Sequence, residues 1–175
     1  MASMLQHKGR VHGDLKAIIG FDHADLSLNE TGIMSPRQAE RLRRKASWRL
    51  VRMGLMLTAS VVFAAAVDSS GLMGDYDSSL AKLLLLLEGL FALIGMHAGW
   101  EALMFVRDAR DGRVELDDGS LQREIRDAGS SAYVVHTKRH TFRVSKAAYH
   151  AVDTTQAYRL YYAPRTKLLL AMEPR

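Results

Sequence analysis

The stretch 83-LLLLLEGLFALIGMHAGWEALMF-105 is apolar enough to cross a bilayer, yet it carries Glu88, His97 and Glu101. A helix that crosses the hydrocarbon core needs about twenty predominantly apolar residues, and the apolar run from residue 80 to residue 106 meets that length. A carboxylate that faced lipid there would cost several kcal/mol. The stretch therefore predicts a transmembrane helix whose polar side is turned toward protein.

A second apolar run precedes it, 53-MGLMLTASVVFAAAV-67, which has fifteen residues and no charge. Ser35, Pro36 and Gln38 form the pattern of a helix start with a capping box. We therefore predict a basic juxtamembrane helix over residues 35–52, a transmembrane helix over 50–68, a short outer loop over 69–79 and a second transmembrane helix over 80–106. The connection holds several Asp and the two outer flanks are rich in Lys and Arg.

The charges of these flanks predict the orientation of the hairpin. Because positive residues stay on the cytoplasmic side, both termini are expected in the cytoplasm of a cell whose inner or plasma membrane holds this multi-pass chain. The net charge of +5 is then explained by anionic lipid headgroups as partners, and no nucleic acid is expected. Aromatic belts and snorkelling side chains place a set of residues at the membrane interface: Trp48, Arg49, Arg52, His97, Trp100, Glu101, Arg107 and Arg110.

Small residues line one side of the second span. At about 100° per residue each falls within roughly 40° of Glu88, and together they form the predicted helix-packing or partner face: Glu88, Ala92, Gly95, Gly99 and Ala102. Gly95 and Gly99 make a G-x-x-x-G, a pattern that lets membrane helices approach closely. The partner is either the first span, with Glu88 level with Phe63 or Val62, or another protein.

Several alternatives stay open for the polar residues of this span. Glu88 is a hydrogen-bonded packing residue, a contact to a partner subunit or lipid, or a carrier of protons or ions. His97 and Glu101 lie one turn apart and can share a proton, but a zinc site needs further ligands that the spacing does not supply. If the first span is the partner, it offers Gly54, Thr58 and Ala65 on one face, with Ala59 and Ser60 nearby.

The flanking segments differ in character from the spans. Residues 107–175 predict a small, mainly-β, barrel-like domain of five or six strands with a turn at Asp118-Gly119, hairpins over 132–144 and 158–173, and a short helix capped by Ser145. The strand pattern puts Phe142 and Val144 on one face of their strand. It likewise puts Tyr158, Leu160 and Tyr162 on one face of a later strand. Residues 1–34 are expected to form a flexible or partner-ordered tail. The fold class is thus an α+β membrane protein: a two-helix transmembrane hairpin plus a small β-domain.

The segments 29-NETGIMSPRQAERLRR-44, 140-HTFRVSKAAYHAV-152 and 157-AYRLYYAPRTKLLLAMEP-174, with the hairpin between them, resemble a group of uncharacterised prokaryotic two-helix membrane proteins with a small cytoplasmic β-domain. The layout is also similar to that of NfeD-like proteins, in architecture only. The resemblance implies the membrane location and the β-domain and carries no activity.

Catalytic signatures are missing from the sequence. There is no cysteine, no nucleophile elbow, no phosphate-binding loop and no dinucleotide fingerprint, and His136, His140 and His150 are a weak metal-binding set. We predict a non-enzymatic accessory or scaffold subunit without cofactor or metal, which docks on other membrane subunits or on itself and binds a cytoplasmic partner through its β-domain. The alternative is a homo-oligomer that conducts ions or protons past Glu88, and a third is an enzyme or nucleotide sensor in the β-domain.

Overall fold

The computed structural model describes residues 15–69, 79–127 and 131–175, which divide into two units. One unit is a pair of helices within Arg41–Arg107, and the other joins the N-terminal residues up to Glu40 with Asp108–Arg175. Helices in the described residues, labelled in chain order, include α1 His23–Glu30, α2 Pro36–Ser69, α3 Ser79–Asp111 and α4 Lys146–Ala151. The predicted 69–79 loop lies almost entirely outside the described residues, as do residues 1–14.

Six strands build the β-domain: β1 Glu115–Ser120, β2 Gln122–Asp127, β3 Ser131–His136, β4 Thr141–Arg143, β5 Ala157–Tyr162 and β6 Leu169–Pro174. They form two three-stranded antiparallel sheets, in the orders β1-β5-β6 and β2-β3-β4. The predicted hairpins β3–β4 and β5–β6 and the Ser145 cap of α4 are confirmed. The predicted barrel is wrong in its closure, because neither sheet pairs with the other at its edges in the described part of the chain.

The strand pattern explains how the sheets pack. Tyr158, Leu160 and Tyr162 alternate along β5 and enter one buried cluster together with Phe142, so the predicted shared face of β5 is confirmed. Tyr161 points to the other face, where it packs with residues of the N-terminal segment. Because successive strand residues face opposite sides, sheet β1-β5-β6 is covered on both faces, and β5 is buried almost along its whole length.

The turn predicted at Asp118-Gly119 is wrong. Both residues lie inside β1, opposite Arg159 and Tyr158 of β5. Asp-Gly has a strong turn preference, but the antiparallel pairing with β5 decides the conformation here. The chain instead changes sheets at Leu121, which is buried in the main core.

The N-terminal segment is folded against the β-domain, so the prediction of a flexible or partner-ordered tail is wrong for residues 15–34. Leu15 is completely buried in the main core, and Phe21 and Leu26 pack beside Tyr161. A capping box starts α1, since Asp25 N donates to Asp22 Oδ1 over 2.8 Å and Asp22 N donates to Asp25 Oδ2 over 3.1 Å. The partner that orders this segment is the C-terminal part of the same chain.

Two glycines close the junction between the N-terminal segment and the end of α3. Gly32 and Gly112 have φ angles of 78° and 61°, in the left-handed region that only glycine adopts without strain. Val114 N donates to the Gly32 carbonyl over 3.0 Å, and Met34 N donates to the Gly112 carbonyl over 2.7 Å. These reciprocal bonds fix the start of α2 to the strand entry after α3.

The start of α2 agrees with the sequence. The capping box between Ser35 and Gln38 is confirmed by the two reciprocal bonds, each of 3.2 Å. Gln38 is 1 % exposed and its amide also donates to the Leu170 carbonyl of β6 over 3.4 Å. The predicted juxtamembrane helix and first span are one continuous helix of 34 residues.

A buried carboxylate holds the β5–β6 turn. Asp108, near the end of α3, is 0 % exposed and accepts hydrogen bonds from Arg165 N at 3.2 Å, from Thr166 N at 2.8 Å and from Thr166 Oγ1 at 2.8 Å. Buried charges persist in proteins only when such donors compensate for lost hydration. Asp108 is therefore the group that orients the turn at Pro164–Thr166 relative to the end of its helix.

We expect Asp108→Ala to lower the free energy of unfolding by about 2–4 kcal/mol, because two backbone amides and a hydroxyl would be left without their acceptor. Denaturation of the detergent-solubilised chain, followed by the near-ultraviolet circular dichroism of the domain tyrosines, measures this. Asp111→Ala is the matched control, since Asp111 makes a partly exposed ion pair with Arg165 and its loss should cost less than about 1 kcal/mol. Equal effects of the two substitutions would contradict this assignment.

Candidate functional site

Helices α2 and α3 pack along one seam in the unit Arg41–Arg107. Buried and half-buried side chains recur along both helices at alternating steps of four and three residues, the spacing of coiled-coil packing. We call these rows the seam: Leu42, Ala46, Arg49, Met53, Met56, Ser60, Phe63 and Val67 in α2, and Leu84, Glu88, Phe91, Gly95, Ala98, Ala102 and Phe105 in α3.

Two glycines of α3, Gly95 in the seam and Gly99 beside it, leave space that side chains of α2 fill. A Cβ atom placed on Gly99 would lie 2.6 Å from Met53 Sδ, and one on Gly95 would lie 3.3 Å from Leu57 Cδ2. Further along, the rings of Phe63 and Phe91 meet edge to face with 6.5 Å between centroids. The helices are therefore antiparallel, and the predicted G-x-x-x-G packs against the first helix of the same chain.

The face predicted for the first helix is wrong. A Cβ atom on Gly54 would have no atom within 4 Å, and Thr58 and Ala65 are exposed. Of the small residues predicted on or near this face, only Ser60 lies in the seam. Apart from Ser60 and Ala46 the seam of α2 consists of larger side chains, with Met53 and Met56 opposite the glycines of α3. Flexible methionines fill the space that glycine leaves open, so one helix supplies the gap and the other fills it.

Glu88 occupies a half-buried seam position, one turn beyond Phe91. The antiparallel register carries it past Phe63, to the level of residues 64–67, which is about one turn from the predicted depth. In the described part of the chain the Glu88 carboxyl has no hydrogen bond and no ion pair. On the same side of α3, Ala92 is half-buried and Ala102 is completely buried. The predicted set Glu88, Ala92, Gly95, Gly99 and Ala102 thus lies on one face, as its helical spacing requires.

A polar cluster links the two helices at the Arg49 end of the seam. Arg49 Nη1 forms an ion pair with Glu101 Oε2, and the Arg49 guanidinium lies 4.8 Å from the centre of the Phe105 ring. His97 Nε2 lies 3.8 Å from Glu101 Oε1. A cation above an aromatic face and beside a carboxylate is held by both. The structure thus brings together three predicted interface residues, Arg49, His97 and Glu101.

The position of the two residues in the sequence could have predicted this ion pair. Arg49 and Glu101 are separated from the 69–79 connection by similar numbers of residues, so antiparallel packing brings them to the same level. The other predicted interface residues are not part of the cluster. Trp48 and Trp100 are 71 % and 61 % exposed, and the arginines Arg52, Arg107 and Arg110 are also exposed.

A second cluster lies in the β-domain and ties the two sheets together. Asp117 of β1 is 7 % exposed; it accepts a hydrogen bond of 2.5 Å from Thr137 Oγ1 and lies 3.1 Å from His140 Nδ1. The His140 ring packs at an angle of 48° against the ring of Tyr162, with 5.2 Å between centroids. Burial is the main cause that raises the pKa of Tyr162, followed by a hydrogen bond with Glu115.

A carboxylate that orients an imidazole is an arrangement able to carry a proton. In the described residues, however, no hydroxyl or amine reaches the second ring nitrogen of His140. Thr137 Oγ1 also accepts from His140 N over 2.9 Å, so the same atoms close the β3–β4 turn. The cluster accounts for the position of that turn on β1, and sequence spacing alone did not connect Asp117 with it.

The histidines of the β-domain do not form a metal site among the described residues, and one open cleft lies in the same unit. Within residues 15–69, 79–127 and 131–175, no group of three or more His, Cys, Asp or Glu is placed to hold a metal ion. His136 is turned to Glu124, 2.5 Å away, whereas His140 is turned to Asp117. An open cleft of about 460 Å³ in the β-domain unit is lined by residues of both charges: Gly32, Asp111, Arg113, Val114, Glu115, Pro164 and Arg165.

Comparison of the chain with protein-family models, with curated proteins and with solved structures yields no match. The resemblance to two-helix membrane proteins therefore stays a prediction. The candidate site is therefore described by its geometry alone. It is an apolar helical hairpin in which the glycines of α3 contact side chains of α2, Glu88 has no partner among the described residues, and Arg49 pairs with Glu101.

We expect Gly99→Leu to lower the stability of the hairpin by about 1–3 kcal/mol, because an isobutyl group would displace Met53 from the seam. Gly89→Leu is the matched control, since nothing lies within 4 Å of a Cβ atom there and leucine is the better helix former by about 1 kcal/mol. Thermal melting of both variants in one detergent, monitored by tryptophan fluorescence, gives the comparison. A Gly99→Leu variant as stable as Gly89→Leu would contradict the seam.

Proposed function

We propose that this protein is a non-enzymatic integral membrane subunit that acts as an anchor and scaffold. The helical hairpin holds the chain in the bilayer and docks on other membrane subunits, and the β-domain binds a partner in the cytoplasm. The observation that carries the proposal is the exposed surface of the hairpin. In the most apolar window of each long helix only 11 % of the residues are buried, whereas the core helix of a soluble protein is mostly covered.

The exposed side chains of this surface are large and apolar. Val61 and Leu86 are 69 % and 68 % exposed, and Leu55, Leu93 and Met96 each exceed 60 %. Soluble monomers rarely leave apolar patches of more than a few hundred Å² in contact with water. Lipid chains or other apolar helices are the surroundings that such a surface fits.

The charges beside the hairpin support its proposed orientation. Seven Lys and Arg lie between Arg37 and Arg52, and Arg107, Arg110 and Arg113 follow the second apolar run. Each cation near an anionic membrane surface contributes about 1 kcal/mol, so the two basic flanks favour the cytoplasmic side. This orientation would place the N-terminal segment and the β-domain, which fold as one unit, in the cytoplasm.

The seam restricts how another membrane protein can dock. Leu57 and Met53 fill the space beside Gly95 and Gly99. Another span could contact these glycines only if the hairpin opened. A partner would instead contact the outer face of α3, where Leu86, Leu93 and Met96 are exposed. The proposed docking surface is therefore this row on the outer face of α3.

We expect the chain, extracted in a mild detergent, to elute in an assembly that contains other polypeptides. Leu93→Trp should remove those polypeptides, because an indole at the centre of the row prevents close helix contact. Val61→Trp on α2 is the control, as Val61 is equally exposed but lies outside the row. Mass spectrometry and light scattering of the eluted peak identify its composition. A monomer that co-purifies with nothing else would reject the docking role.

One observation favours a second candidate function, a homo-oligomer that conducts protons or ions. Glu88 is half-buried among apolar seam residues, and no partner for its carboxyl exists among the described residues. Ionisable residues within membrane spans mark proton and ion pathways in many other proteins. The path would then run along the seam of each hairpin.

For this second candidate we expect proteoliposomes that contain the chain to show a pH-dependent flux, which Glu88→Gln abolishes by removing the ionisable group. Glu101→Gln is the control, because Glu101 is committed to the ion pair with Arg49. Flux is measured with an entrapped pH indicator under an imposed potential. Liposomes without flux, or unchanged flux in Glu88→Gln, would exclude conduction through this residue.

A further inference from the structure

Strand β2 forms a free edge of the β2-β3-β4 sheet. In the described part of the chain it pairs only with β3, and residues 122–126 are all exposed. Ile125, at the middle of this run, is 48 % exposed. Natural sheets protect such edges with charges or cover them, because an open edge is a template for another strand. β2 carries such charges, and Ile125 is the one apolar residue among positions 122–126, exposed at the centre of the charged edge.

The backbone groups of Ile125 point away from its own sheet. Ile125 lies opposite Tyr133 in the β2–β3 register, and the Tyr133 carbonyl accepts from Val144 N over 2.9 Å on the β4 side. In an antiparallel ladder, hydrogen-bonded and non-hydrogen-bonded pairs alternate. Ile125 and Tyr133 are therefore a non-hydrogen-bonded pair, and the N–H and C=O of Ile125 are directed outward, where an added strand would receive them.

The charges on either side of Ile125 are complementary to those of a second copy of the strand that runs in the opposite direction. The sequence 123-REIRD-127 reads plus, minus, apolar, plus, minus, so an antiparallel copy that places Ile125 opposite Ile125 sets every charge against one of opposite sign. Glu124 and Arg126 share one face of the strand and already pair within the chain, with 3.2 Å between Arg126 Nε and Glu124 Oε1. Two copies would join these pairs into a network of four alternating charges.

We propose that β2 pairs in antiparallel fashion with β2 of a second copy of this chain, about a two-fold axis at Ile125. The two isoleucines would exchange both of their outward backbone hydrogen bonds, which is the isologous arrangement that a two-fold dimer requires. A register centred on Glu124 or on Arg126 would place like charges directly opposite one another, which destabilises strand pairs. Registers shifted by one residue would not align the outward backbone groups.

The partner is a second copy because one strand supplies both halves of the complementarity. A different extended segment could also occupy an open edge, but it would need its own matching charges. This inference goes beyond the anchor role and does not rest on it: a dimer through β2 is compatible with an anchor, with a conducting oligomer and with a chain that binds no other protein.

A single engineered cysteine tests the pairing in the full-length chain. The protein has no cysteine, so any disulfide that Ile125→Cys forms must join two molecules. Directly opposite, hydrogen-bonded residues have Cα atoms about 5.5 Å apart, within the roughly 4.4–6.8 Å that a disulfide spans. We expect mild oxidation of native membranes to give an adduct of twice the chain mass of 19.5 kDa.

Leu116→Cys is the matched control, because Leu116 is 53 % exposed on β1, an edge strand of the other sheet. Equal cross-linking at positions 116 and 125 would show random collision and overturn the proposal. Absence of the adduct at 125 would also overturn it, as would an adduct whose mass corresponds to another polypeptide.

Charge exchange tests the register. In the Ile125→Cys background, Glu124→Arg alone or Arg126→Glu alone should slow formation of the adduct on the order of fivefold, because each places like charges opposite one another twice. The double variant Glu124→Arg with Arg126→Glu should restore the rate, since the exchanged charges are again complementary. Circular dichroism confirms that each variant is folded. A folded double variant that stays as slow as the single ones would refute the two-fold register.

Discussion

The close approach of α3 to α2 at Gly95 and Gly99 is the constraint on which the hairpin depends. Without a Cβ atom at these positions, Met53 and Leu57 occupy the space that a side chain would otherwise take. Helices in an apolar environment gain nothing from hydrophobic burial between them and associate through close packing. The spacing of the remaining seam residues follows from this contact, because it fixes which sides of two long helices meet. The apolar outer faces of the two helices are consequently left exposed.

Polar groups are used differently in the two units. In the hairpin, Arg49 and Glu101 satisfy one another and Glu88 is left without a partner among the described residues. In the β-domain unit, two buried carboxylates each organise a turn: Asp108 holds the β5–β6 connection and Asp117 holds the β3–β4 connection. A carboxylate that accepts several short hydrogen bonds is a strong local anchor. Glu88 lacks such bonds, which is why it is the residue with the clearest claim to a role beyond packing.

The N-terminal segment shows how a weak local signal can hide a folded part. Residues 15–21 contain only a few apolar side chains, too few to predict an ordered element by themselves. Phe21 and Leu26 are nevertheless buried, because the second face of sheet β1-β5-β6 needs a cover, and Leu15 is buried in the main core on the other face. The requirement arises in β5 and β6, more than a hundred residues away. No local pattern near the N-terminus expresses it.

The sequence by itself determined the two apolar helices, the capping box at Ser35, the hairpins of β3–β4 and β5–β6, and the common face of Glu88 with the small residues of α3. Each of these depends on neighbours within a few residues, so helical or strand periodicity is enough to find it. The tertiary structure alone decided that Met53 and Met56, and not Gly54 and Thr58, line the seam. It also decided that the six strands form two sheets, that Asp118-Gly119 lies within a strand, and that Arg49 meets Glu101. These features are set by contacts between distant segments, where packing and hydrogen bonding outweigh the weak preferences of single residues.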